Sequence, residues 1–135
     1  MQKYTFLEHT ADAKVLLEAT TPQELFQVAL TALFALQKPH RLQGEEIAFQ
    51  VSIHAPDQTV LLIDFLSHIL TLSHIHQVVF DRIVIIHCDE HTLSAHVFAK
   101  KAQKIERDVK AVTFHEAEIV RTSSGSYQTI IIFDI

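Results

Sequence analysis

The alternation of apolar and polar positions divides this chain into strands and two helices. Tyr4 to His9 and Lys14 to Ala19 read as strands joined by the turn HTAD. Thr21-Pro22-Gln23-Glu24 then opens a helix, with Thr as N-cap, Pro at the first helical position and Glu completing a capping box. Leu25, Ala29, Leu33 and Leu36 recur at helical spacing, Phe26, Leu30 and Phe34 widen that face, and Pro39 marks its end. Glu46 to His54 alternates Ile47, Phe49, Val51 and Ile53, the pattern of a half-buried strand.

A second helix is predicted from an N-cap near Asp57 to about His74, its apolar face built from Leu61, Leu62, Phe65, Leu66, Ile69 and Leu70. Val78 to Cys88 and Thr92 to Ala99 read as a hairpin turning at DEHT. Val109 to Thr113 and Glu116 to Arg121 are further extended segments. The turn TSSGS leads into a last strand whose Ile130, Ile131, Ile132 and Phe133 suit burial on both faces. Strands grouped together favour an α+β fold, two helices packed on a mostly antiparallel sheet in two layers. Residues 1–135 form a single domain by length.

Composition narrows the classes of function. The hydrophobic share is 48% against 20% charged, which suits a compact globular protein. Two glycines leave no room for a Gly-rich phosphate loop, and a single cysteine, Cys88, allows no internal disulfide and suits a reducing compartment. A net charge of −5 without a Lys/Arg cluster argues against direct, non-specific nucleic-acid binding, which draws on phosphate neutralisation. MQKYTFLEHTAD has no apolar core of a signal peptide. TVLLIDFLSHILTL, broken by Asp64 and His68, reads as too short and too polar to span a bilayer. A soluble, cytoplasmic protein with no membrane association is the expectation.

Ten histidines raise the question of zinc, and their spacing argues against it. His74 and His76 are two apart and diverge on a helix, while His87, Cys88, Asp89 and His91 are ordinary residues for a hairpin tip. The terminal carboxylates are more telling. Asp134 is followed directly by Ile135 and its α-carboxylate, and such neighbours repel unless a cation or donors neutralise them. Glu8, His9, Thr10 and Asp12 crowd polar groups at a strand exit. Were the last strand to pair there, Asp12 would meet Asp134 and present oxygen ligands to a hard cation. Against this, Asp12 alone suits a turn cap, and Asp64 alone suits the exposed side of its helix.

In combination, FLEHTAD, PQELFQVALTALF, LLIDFL, KAVTFH and the closing IIFDI resemble the archease family over the whole chain. Ala13-Lys14 stand where the family usually has an aliphatic residue and Gly, and AKKAQKIERDV lacks the Gly-Glu pair that tends to precede the late motif. The resemblance implies a non-enzymatic protein cofactor of the RtcB-type RNA ligase, which joins tRNA halves and repairs RNA. Such a cofactor promotes guanylylation of the ligase with GTP and supports multiple turnover. The resemblance also implies a divalent metal, calcium first and magnesium or manganese next, bound through Asp12, Asp134 and the terminal group of Ile135. His9, Asp64, Lys110 and His115 are then candidate contacts to the partner or its phosphates. RNA is engaged only through the ligase. The alternative from another class is a free-standing metal-dependent phosphate-ester hydrolase; a chaperone-like module ranks third.

Overall fold

The computed structural model describes residues 2–7 and 12–135. In chain order the elements are β1 (Gln2–Leu7), β2 (Asp12–Ala19), α1 (Pro22–Gln37), β3 (Pro39–His54), α2 (Gln58–His76), β4 (Val78–Cys88), β5 (Thr92–Ile105), β6 (Ala111–Thr113), β7 (Val120–Arg121) and β8 (Tyr127–Asp134). The fold is α+β, two helices on antiparallel sheets. The strands divide between two sheets. One runs β1-β2-β8-β6 with β7 also pairing β8, and the other runs β3-β5-β4.

Both helices touch both sheets: α1 packs on β2 and β4, and α2 on β4, β3 and β6. This explains why their apolar faces are so wide. In α1 the buried set runs Leu25, Phe26, Val28, Ala29, Leu30, Ala32, Leu33 and Leu36, and in α2 it runs Leu61, Leu62, Ile63, Phe65, Leu66, Ile69 and Leu70. Phe26 and Phe65 meet edge to face at 5.6 Å where the helices touch. By length and composition α2 is apolar enough to cross a membrane, which corrects the expectation of a segment too short and too polar. Its apolar residues are spent instead on the core.

The helix ends are where the sequence places them. Glu24 N–H donates to Thr21 Oγ1, and Thr21 N–H to Glu24 Oε1, which closes the capping box. Asp57 Oδ1 accepts from Val60 N–H at the start of α2. The helices end on Lys38 and Gln77, both left-handed at φ 49° and 57° without glycine.

Three strand expectations need correction. β3 begins at Pro39, not Glu46, and β5 runs on to Ile105. The added arms pair with each other across a register shift between Gln43 and Ile47, where Gly44 takes φ 77°. The expected strand at Glu116 to Arg121 shrinks to Val120–Arg121. His9, expected to close the first strand, lies outside the described residues.

Candidate metal centre at the end of the first sheet

β2 alternates strictly between buried and outward positions. Ala13, Val15, Leu17 and Ala19 are buried against the helices, and Asp12, Lys14, Leu16 and Glu18 face outward. Its partner on the other side is β8, antiparallel, with Asp12 opposite Asp134, Ala13 opposite Phe133 and Lys14 opposite Ile132. Opposed residues in such a ladder share a face, and their Cβ atoms lie roughly 4.5–5.5 Å apart. Asp12 and Asp134 therefore stand side by side on an exposed sheet end.

The neighbouring strand completes the surroundings. β6 places Ala111 opposite Asp134 and Thr113 opposite Ile132, and the Lys110 N–H donates to the Asp134 carbonyl at 2.7 Å. Ile135 packs its side chain against the core, which keeps its main-chain carboxyl group next to Asp134. Of the candidate contacts, Lys110 is brought to this end by its backbone. His115 lies beyond the end of β6, exposed, with its ring 3.9 Å from the Glu116 carboxylate. Asp64 is half-buried on α2, and among the described residues no hydrogen bond or ion pair joins it to the acids. His9 lies outside the described residues.

The donor set can be tested against a divalent cation. Asp12 and Asp134 offer carboxylate oxygens, which suit hard ions such as calcium or magnesium. Among the described residues no three His, Cys, Asp or Glu side chains converge, and the main-chain carboxyl of Ile135 is the third anionic group that the resemblance adds. With it, three anionic groups and water fit a hard cation. The histidine-rich hairpin tip does not. Asp89 Oδ1 accepts from Thr92 Oγ1, His91 N–H and Thr92 N–H, and its Oδ2 meets His87 Nε2 at 3.0 Å. The Thr92 hydroxyl first, then the His91 N–H and the His87 ring, hold this carboxyl well below the usual carboxylate range. Asp89 is a turn cap whose acceptors are already engaged.

One arrangement escaped the sequence reading. Lys14 Nζ lies 2.8 Å from Glu116 Oε2. Glu116 follows β6, on the far side of β8 from β2, so the Lys14 stem crosses Ile132 to reach it. That crossing accounts for an outward-facing Ile132 only 6% exposed. The hydrogen bond from Lys14 holds the Glu116 carboxyl below its ordinary value, against partial desolvation. Glu116 also has φ 62°, a left-handed backbone uncommon outside glycine.

The pattern of the Archease protein family (MTH1598/TM1083) matches residues 4–135. This chain belongs to the archease family. It is similar to protein archease of Methanosarcina acetivorans, 30% identical with 99% of this chain and 97% of that one covered. An archease-like protein of Drosophila melanogaster is 26% identical over 98% and 90% of the two chains. Among solved structures, the solution structure of Methanobacterium thermoautotrophicum protein 1598 superposes with a TM-score of 0.72 at 25% identity, covering 98% of each chain. The crystal structure of a Thermotoga maritima archease, described as a possible chaperone, shares the fold at a TM-score of 0.71 and 22% identity, over 96% and 94% of the chains. The archease resemblance read from the motifs and the α+β fold expected of it both hold.

Proposed function

We propose that this archease is a protein cofactor of an RtcB-type RNA ligase in the cytoplasm, and that it carries a divalent cation on Asp12, Asp134 and the Ile135 carboxylate. The observation that carries this reading is the register pairing of Asp12 with Asp134. Like charges directly opposite each other in a ladder are destabilising. A cation converts that cost into binding energy, and calcium accepts carboxylate oxygens and water in a flexible coordination shell.

When bound, the cation supplies positive charge that offsets charge on phosphate oxygens during nucleotidyl transfer. The chain's own residues do the positioning. The Lys110 N–H fixes the Asp134 backbone, and the buried Phe133 and Ala13 anchor the two strands one residue inward. Exposed Lys110 flanks this end and exposed His115 lies beyond the far end of β6, both as contacts for the ligase or its phosphates. A net charge of −5 fits a protein that leaves the RNA to its partner.

The test combines this protein with such a ligase, GTP and calcium, and follows ligase guanylylation and RNA joining over many turnovers. The wild-type chain is expected to sustain turnover, and Asp12→Ala and Asp134→Ala to reduce it by at least tenfold, the scale of losing a ligand that acts on transferring phosphate. Wild-type stimulation by both variants would refute the metal role. Hydrolysis of phosphate esters by the chain alone would replace it with the hydrolase reading.

A further inference from the structure

The ammonium of Lys14 is the charge whose placement the cofactor reading leaves unexplained. It belongs to the same outward face as Asp12, two residues along β2, where same-face neighbours are roughly 7 Å apart. It also sits in the row next to Asp134, because Lys14 opposes Ile132 and Asp12 opposes Asp134. A lysine stem is long and freely rotating. From this position one set of rotamers leads across Ile132 to Glu116, and another leads along the strand to the acid pair.

Glu116 decides between them. It holds Nζ at 2.8 Å from the far side of β8, on a backbone turned left-handed at φ 62°. His115 Nε2 stands 3.9 Å from the same carboxylate. Lys3, the other lysine on this face of the sheet, is engaged with Glu18 at 3.3 Å three rows away and does not reach the acids.

We infer that Lys14 is a built-in competitor for the divalent cation of Asp12 and Asp134, and that Glu116 sets the strength of the competition by drawing the ammonium across β8. The inference rests on the shared-cation reading above. An ammonium against two adjacent carboxylates mimics the charge of a bound ion but not its ligand number. It therefore weakens cation binding without replacing it. Through this device the chain tunes how readily it gives up its metal.

The experiment is calcium titration of the purified protein by isothermal calorimetry, on wild type, Lys14→Met, Glu116→Gln and the double variant, with Asp134→Asn as reference. Methionine keeps the unbranched stem over Ile132. Lys14→Met is expected to bind roughly three- to tenfold tighter, the scale of a surface ion pair removed. Glu116→Gln is expected to bind about threefold weaker, and the double variant to match Lys14→Met, because Glu116 has nothing left to hold. If Lys14→Met binds as wild type does, or if Glu116→Gln weakens binding equally with and without Lys14, the competition is overturned while the metal site stands. If wild type binds no calcium, or Asp134→Asn binds as well as wild type, the shared-cation reading itself falls and this inference with it. Thermal melts in metal-free buffer, expected to agree between wild type and variants within a few degrees, exclude misfolding as the cause.

Discussion

Asp134→Asn is expected to weaken divalent-cation binding by at least a hundredfold, and Asp12→Asn by a similar factor. The two carboxylates are opposed in one register step, so removing either takes away charge and a ligand together. Loss of affinity is only half of the expectation. In metal-free buffer each variant is expected to be slightly more stable than wild type, by about 0.5 kcal/mol, because like charges directly opposite in a ladder repel. Calorimetric titration checks the first half and urea denaturation with chelator the second. A structural role for these acids would give the opposite pattern, with stability falling while affinity holds.

The second large effect lies in the core. Phe65→Ala is expected to destabilise the fold by about 4 kcal/mol, the usual cost of truncating a fully buried phenylalanine. Phe65 is 0% exposed, as is Phe26, its edge-to-face neighbour on α1. Phe26→Ala is expected to cost a similar amount. The double variant should cost less than the sum by about 1 kcal/mol, since the aromatic contact is lost only once. Urea melts of the four proteins by circular dichroism test this. Full additivity would mean that the two rings contribute only their own burial.

The helices were legible because each carries its own local signals. Thr21-Pro22-Gln23-Glu24 and Asp57 cap them, and the apolar spacing fills them. The β4–β5 hairpin and β8 were equally plain. The arms of β3 and β5 were not, because residues 39–46 are mostly polar and exposed and show no alternation to read. Their pairing is long-range, Leu42 with Ala102 and Gln43 with Lys101, and no local pattern encodes it. The division into two sheets was hidden for the same reason. Strand order depends on which distant segments pair, and a half-buried strand looks alike in either sheet.

The acid pair shows the same limit. Spacing along the chain could not bring Asp12 to Asp134; the family resemblance supplied that expectation, and the β2–β8 register places the two opposite each other. Nothing in the sequence announced the Lys14–Glu116 bridge. Lys14 stood out only as a departure from the family motif, and Glu116 as the start of an expected strand that forms only at Val120–Arg121. The hairpin tip reads from residue type as an ordinary turn, and there Asp89 Oδ1 accepts from His91 N–H, Thr92 N–H and Thr92 Oγ1.

The most direct test of a cation shared by the two ends of the chain is a crystal grown with manganese, located by its anomalous scattering. The account predicts a single strong peak bridging the Asp12 and Asp134 carboxylates, with the Ile135 carboxylate in its coordination sphere. An anomalous peak at the His87–His91 tip with none between the two aspartates would contradict it.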